Sequence, residues 1–80
     1  MKRLLKALLN RGYNAEIRYD LDDDFNDTFI DIHDVIDDYI QVEFNEQNGI
    51  KGTLLSVDSG ELFIESRKVN DVAKAIDSLK

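Results

Sequence analysis

The residues with the clearest chemical potential form an acidic block at positions 20 to 46. This stretch holds eleven carboxylates and neither Lys nor Arg, and nine of the eleven are Asp residues at positions 20 to 38. Carboxylates this close together repel one another, so they lower the stability of a fold unless a cation binds them. Such a block could serve metal binding, acid–base catalysis or electrostatic binding of a basic partner.

Calcium binding is the first of these possibilities, because oxygen ligands recur at a suitable spacing. The loop positions that supply calcium ligands would be taken by Asp20, Asp22, Asp24, Asn26, Thr28 and Asp31. However, the position that normally requires Gly is Phe25, and the last ligand position holds Asp31 instead of the usual bidentate Glu. We therefore favour a solvated acidic loop, assign no metal site, and keep a weak calcium-binding loop as an alternative.

Catalytic side chains are scarce in this chain. It has no Cys, no Ser in a nucleophile elbow and no phosphate-binding glycine loop, and His33 is its single His. We interpret His33 as a surface imidazole among acids. Two carboxylates perform acid–base chemistry only where a pocket separates their pKa values, and the sequence indicates no such pocket. The sequence predicts a protein that is not an enzyme and uses no cofactor.

The charge distribution favours a basic partner. The formal net charge is −7, to which positions 20 to 46 contribute −11 and the remaining residues +4. Nucleic-acid binding needs a clustered cationic surface, so direct nucleic-acid binding is not expected. Alternate side chains of a strand lie about 6.6–6.8 Å apart, so rows of Asp can imitate the charge of a duplex backbone. The competing interpretation is that these acids only keep a small domain soluble and protect its sheet edges.

Length and composition predict one compact domain over residues 1–80. The chain is 42% hydrophobic and 34% charged, which is typical of a single small core. The N-terminus begins like a secretory signal, but Lys6 and Asn10 interrupt its apolar run. No segment has the length of a membrane span, so we expect a cytoplasmic protein without membrane contact.

Hydrophobic periodicity predicts the first elements of the fold. Leu4, Leu5, Leu8 and Leu9 lie on one arc of a helix over residues 2–11, which Gly12 can end. Alternation from Tyr13 to Tyr19 then predicts a strand. Residues 27–38 fit either a strand or a helical stripe. We favour the strand, because Asp disfavours helix interiors.

The second half of the chain predicts a hairpin, a further strand and a helix. Asn48-Gly49 predicts a tight turn that pairs Gln47 with Ile50, Phe44 with Thr53, Val42 with Leu55 and Ile40 with Val57. Asp58-Ser59-Gly60 predicts a turn into a strand over 61–65, in which Leu62 and Ile64 continue the buried face. Val69, Val72, Ile76 and Leu79 recur at helical spacing, with Asn70 as the predicted N-cap. The predicted fold is α+β: a helix, an antiparallel meander of four to five strands and a second helix, with both helices on one sheet face.

This order of elements, with an acidic loop after a Tyr13-led strand, resembles that of the small acidic anti-CRISPR proteins of phages and prophages of Gram-positive bacteria. In that family, acidic residues occupy the site where a CRISPR nuclease reads DNA with Arg side chains. The resemblance implies a DNA-mimicking inhibitor in the host cytoplasm. Its implied partner-binding residues are Asp20, Asp22, Asp23, Asp24, Asp27, Asp37 and Asp38.

The expected partner is thus the basic groove of a nucleic-acid-binding protein, met by a monomer or, as the less favoured state, a dimer. A rival function is an accessory protein of a phage or mobile element that self-assembles or docks structurally. In that case Lys2, Arg3 and Lys6 of one copy would meet the acidic block of another.

Overall fold

Two helices and five strands make up the part of the chain that the structure describes. The computed structural model describes residues 1–21, 26–35 and 39–79; at positions 20, 21, 26 and 27 the description covers the backbone alone. Helix α1 (Lys2–Asn10) precedes strands β1 (Asn14–Leu21), β2 (Asn26–His33), β3 (Ile40–Gln47), β4 (Ile50–Val57) and β5 (Gly60–Ile64), and helix α2 (Val69–Asp77) follows. The strands form one antiparallel meander in sequence order. The predicted α+β fold is confirmed, and residues 26–33 form the strand that we favoured.

Both helices cover the same face of the sheet. Leu4 and Leu8 of α1 and Val72 and Ile76 of α2 join one hydrophobic core with the inward residues of the strands, which are Ile30, Ile32, Ile40, Val42 and Leu55. Each of these side chains is essentially inaccessible to solvent. Burial of such a set is the main term that stabilises the fold. Neither of the two described helices has the length and apolar content that crossing a lipid bilayer requires.

The apolar periodicity predicts more burial than the structure shows at three positions. Leu9 was expected on the buried arc of α1, but it is 50% exposed. Tyr19 and Leu62 were expected on the buried face of the sheet, but they are 60% and 45% exposed. Tyr19 lies on β1 and Leu62 on β5, the two edge strands, each of which has a neighbour on one side only. These three predictions of burial are wrong, because the core covers neither the whole apolar arc of α1 nor the full length of the edge strands.

The β3–β4 hairpin has the register that its turn residues predict. Asn48 and Gly49 have φ values of 54° and 79°, the left-handed conformation that a two-residue hairpin turn requires at both positions. Gln47 pairs with Ile50, Phe44 with Thr53 and Val42 with Leu55. The prediction is therefore confirmed at these three pairs, and Phe44 and Val42 each meet an inward partner.

Helix α2 begins earlier than expected, and its predicted N-cap is wrong. Lys68 holds the N-cap position with extended backbone, and Asn70 lies inside the first turn. Ser66 organises the entry to the helix instead. Its Oγ accepts a hydrogen bond from the Lys68 backbone N–H at 3.1 Å and donates one to Asp71 at 2.7 Å. Both bonds are made by Ser66, upstream of the helix, and the N-cap residue Lys68 itself makes no side-chain capping hydrogen bond.

The C-terminal ends of the two helices meet at Asp77. Its Oδ2 atom lies 2.5 Å from Nη1 of Arg11, and its Oδ1 atom accepts a hydrogen bond from the Tyr13 hydroxyl. Tyr13 is itself buried, with 6% of its surface exposed. Burial, followed by the hydrogen bond to Asp77, raises the pKa of Tyr13 to about 12. The Asp77 junction therefore binds the connection between α1 and β1 to the C-terminal end of α2.

Candidate protein-binding site

Two of the predicted site residues are brought together by the β1–β2 pairing. The backbone register places Asp20 opposite Asp27, one step before the last pair, Leu21 and Asn26. The connection between these strands contains Asp22, Asp23 and Asp24, which lie outside the described residues. We name residues 20–27 the acidic hairpin end. Five of its eight residues are Asp, and the strand pairing places the backbones of two of them, Asp20 and Asp27, opposite each other.

The other two predicted site residues belong to a different connection. Asp37 and Asp38 lie outside the described residues, in the segment between β2 and β3. That segment leaves β2 after His33, whereas the acidic hairpin end includes the start of β2 at Asn26. An eight-residue strand is about 23 Å long between its first and last residues. The two acidic connections therefore start from opposite ends of β2, and the seven predicted residues divide into two groups.

The sheet face that lies opposite the helices carries a second set of charged side chains. Strand pairing aligns two rows of residues across all five strands on this face. We name these ten residues the open face: Arg18, Phe29, Glu43, Leu54 and Phe63 in one row, and Glu16, Asp31, Gln41, Ser56 and Glu61 in the other. The open face has four carboxylates and one guanidinium, so its potential is negative.

Asp31 occupies an unusual position on the open face. Only 7% of its surface is exposed, and its Oδ2 atom accepts a hydrogen bond from Nε of Arg18 at 2.9 Å. The Oδ1 atom is buried and has no hydrogen-bond partner within the described residues. Asp31 thus binds Arg18 from within a paired strand. The calcium alternative stays a prediction, because Asp22 and Asp24 of its loop lie outside the described residues.

Arg18 contacts Phe29 and Asp31 on the open face, and sequence reasoning missed both contacts. Its guanidinium carbon lies 4.5 Å from the centre of the Phe29 ring, its direct cross-strand neighbour, while Nε binds Asp31 on the diagonal. Phe29 is 8% exposed, although the β2 alternation places it on the face without helices. That aromatic residue at an outward position was the available signal that the open face has a packed centre.

Phe63 ends the same row at the opposite edge of the sheet. Its side chain lies over Gly52 of β4, where an added Cβ would come within 2.6 Å of the ring and 2.2 Å of the Ile64 carbonyl oxygen. Glycine at position 52 is thus required for the close approach of this ring. Beside it is a shallow cleft of about 170 Å³, lined by Asn45, Glu46, Gln47, Leu54, Glu61 and Phe63.

His33 lies near carboxylates, as we expected. Its Nε2 atom is 3.4 Å from Oε1 of Glu16, and its ring centre is 6.0 Å from that of Tyr39. The neighbouring Asp34 has a φ of 66° and accepts a hydrogen bond from Asn14 at 3.2 Å. These contacts hold the end of β2 against β1. They involve exposed or half-exposed groups, which is the usual setting of a surface imidazole.

The described residues contain no group of three or more side chains that could hold a metal ion. What this geometry can do is bind cations by carboxylates and by aromatic rings. Comparisons of the chain with protein-family models, curated proteins and solved structures give no match.

Proposed function

We propose that this protein is a noncatalytic binding module that inserts its acidic hairpin end into the basic groove of a nucleic-acid-binding protein. The observation that carries the proposal is the pairing of Asp20 with Asp27, with three further Asp residues in the connection between them. In this role the domain acts in the cytoplasm as an inhibitor that takes the place of DNA.

Asp20 and Asp27 carry like charges at paired positions of β1 and β2. Two carboxylates directly opposite each other in a sheet destabilise the pair, by up to about 1 kcal/mol on the scale of cross-strand interactions. Two arginines of the chain are engaged elsewhere: Arg11 binds Asp77, and Arg67 donates hydrogen bonds to the carbonyl oxygens of Gly52 and Asn45. Binding of a cationic partner to the hairpin end would relieve this repulsion, and that relief adds to the affinity of the complex.

The class of partner follows from the charge geometry. Phosphates of duplex DNA form closely spaced lines of negative charge, and proteins that bind DNA present Lys and Arg to them. A CRISPR nuclease, which reads its short recognition duplex with two Arg side chains, is one such protein. The resemblance to the acidic anti-CRISPR proteins makes this nuclease class our first choice of target.

Competitive capture tests the proposal. The protein is immobilised, bacterial lysate is passed over it, and bound proteins are eluted first with duplex DNA and then with salt. We expect the DNA step to release nucleic-acid-binding proteins, because DNA and the acidic hairpin end compete for one groove. The variant D22N/D23N/D24N should retain far less of them, with an unchanged or raised melting temperature.

A matched control separates position from total charge. The variant D58N/E65Q/D71N removes the same number of charges from exposed positions outside both the acidic hairpin end and the cleft beside Phe63. It should capture the same proteins as the unmodified chain. If both triple variants lose capture equally, or neither loses it, the acidic hairpin end is not the interface.

Self-assembly is the second candidate, favoured by a specific observation. Lys2, Arg3 and Lys6 are exposed on α1, which lies on the side of the sheet opposite the negative open face. Contact between unlike surfaces of two copies would be heterologous and would build open assemblies. Light scattering at low and high ionic strength decides the matter: salt-sensitive particles support assembly, and a monomer at both ionic strengths excludes it.

A further inference from the structure

Two arginines of this chain are bound by phenylalanine in the same manner. The guanidinium carbon of Arg18 lies 4.5 Å from the centre of the Phe29 ring, and that of Arg67 lies 5.4 Å from the centre of the Phe44 ring. Each guanidinium also donates hydrogen bonds to oxygen. Arg18 donates to the Asp31 carboxylate, and Arg67 donates to backbone carbonyls of β3 and β4. An aromatic face with adjacent oxygen acceptors is a strong site for a guanidinium.

Phe63 has similar surroundings but no cation from the described part of the chain over its ring. It lies in the row that begins with Arg18 and Phe29, at the other edge of the sheet. The ring is held against Gly52 and is half-exposed. Glu46 and Glu61 line the cleft beside it. The cleft therefore combines a fixed aromatic ring with two carboxylates, both of which are exposed.

We infer that this cleft binds an arginine side chain of the partner protein. The proposal rests on the proposed function, because it adds a second point of contact with the same basic surface. The cleft combines the two elements found at both internal arginines, a phenyl ring and oxygen acceptors. The occupant is arginine rather than lysine, since a planar guanidinium stacks on a ring while its N–H groups reach nearby oxygens, whereas an ammonium is a strongly hydrated point charge.

The cleft and the acidic hairpin end lie on different strands of the sheet. The cleft involves β3, β4 and β5, and the hairpin end belongs to β1 and β2. The Phe63 ring is carried by the edge strand β5, which lies about 19 Å from the other edge strand β1 at a strand spacing of about 4.8 Å. A partner that contacts this ring and both strands of the hairpin end spans the open face, whose four carboxylates and one guanidinium suit a basic surface.

Peptide binding followed by NMR tests the inference. The probes are tetra-arginine and tetra-lysine, which carry equal charge, added to the full chain. We expect tetra-arginine to shift the Phe63 ring signals and the Leu54 and Glu61 signals, and to bind about two- to fivefold more tightly than tetra-lysine, as a surface cation–π contact allows. Equal affinity of the two peptides, or shifts that leave the cleft unaffected, would overturn the inference.

Two variants locate the preference for arginine. Phe63→Leu keeps an apolar side chain over Gly52 but removes the aromatic face, and Glu61→Gln removes one carboxylate at an exposed position where folding is not at risk. Each should reduce the ratio of arginine to lysine affinity, and Phe63→Leu should bring it to about one. A ratio that survives in both variants rules out the cleft.

Failure of this inference and failure of the proposed function give different results. The variant D22N/D23N/D24N should weaken both peptides similarly, since it lowers the general attraction, and should leave the Phe63 ring shifts in place. If that variant still captures nucleic-acid-binding proteins from lysate, the proposed function fails whatever the peptides do. If capture is lost while Phe63→Leu leaves the arginine preference intact, only the cleft is wrong.

Discussion

Phe29 and Ile30 are adjacent in the sequence but lie on opposite faces of the sheet, and their surroundings differ. Ile30 is fully buried beneath the helices among aliphatic side chains. Phe29 is nearly as buried, but its neighbours are the guanidinium of Arg18 and the carboxylates of Glu43 and Asp31. One face therefore derives its stability from apolar burial, while the other combines an aromatic ring with charged groups. The comparison shows that alternation along one strand can give its two faces different chemistry.

The largest expected effect comes from the covered face. Ile30→Ala should lower the free energy of unfolding by about 2–5 kcal/mol, because it removes buried methyl groups and leaves a cavity. Phe29→Leu, one position away, should cost only about 1 kcal/mol, since it removes less volume and loses mainly the contact with Arg18. Urea denaturation of both variants measures the difference. Similar losses at the two positions would contradict the difference between the two faces.

The next effect concerns the packing of the open face. Gly52→Ala should destabilise the domain by about 1–3 kcal/mol, because the new methyl group meets the Ile64 carbonyl oxygen and the Phe63 ring. The exposed neighbour Lys51→Ala should change stability by less than about 0.5 kcal/mol. Thermal unfolding compares the two variants. A stable Gly52→Ala variant with unmoved Phe63 ring signals would contradict the described contact.

A similar or smaller loss of stability is expected when the partly buried ion pair of Arg18 and Asp31 is broken. Arg18→Met should cost about 1–3 kcal/mol, since it leaves the Asp31 carboxylate buried without its cation. Adding Asp31→Val to this variant should recover much of the loss, because a matched apolar pair replaces the orphaned charge. Chemical denaturation of the single and double variants provides the measurement. If the double variant is less stable than Arg18→Met alone, Asp31 is held by something other than Arg18.

The smallest expected effect is a pH dependence of stability that arises from Tyr13. Tyr13→Phe should cost about 1 kcal/mol at neutral pH, through loss of the hydrogen bond to Asp77. The pKa of Tyr13 is raised in the folded state from 10.0 to about 12, so the folded protein holds the phenol proton more tightly than the unfolded chain does. This stabilisation is fully present below pH 10 and is lost as the pH rises through 12.

The comparison of melting temperatures with Tyr13→Phe isolates this titration from that of other groups. The unmodified protein should lose more stability than the variant between pH 10 and pH 12. Parallel pH curves would mean that the Tyr13 phenol titrates alike in the folded and unfolded states.

Much of the fold was predictable because its signals are local. Asn48-Gly49 set the β3–β4 register through its turn conformation, and alternation identified the inward residues Ile40 and Val42 of β3. The N-cap at Asn70 was wrong because the helix already begins at Val69, so that Asn70 lies inside its first turn. The exact ends of helices are the feature that sequence preference locates least accurately.

The candidate site was predictable only where it depends on charge density. The abundance of Asp between positions 20 and 27 is visible in the sequence, and the strand pairing brings its ends together. The Arg18, Phe29 and Asp31 cluster was not predicted, since it depends on a diagonal contact between two strands whose register the sequence did not specify. Asp37 and Asp38 lie outside the described residues, so their part in the site stays a prediction.

The junction at Asp77 has a consequence for the order in which the domain assembles. Each strand pairs with its neighbour along the chain, so the sheet can grow by closing short loops, whereas the bonds of Asp77 with Tyr13 and Arg11 span 64 and 66 positions. We expect the bonds of Asp77 with Tyr13 and Arg11 to form after the folding transition state. Asp77→Asn should then accelerate unfolding and leave the refolding rate nearly unchanged, which stopped-flow kinetics can measure. A slower refolding rate would instead place this long-range closure within the folding nucleus.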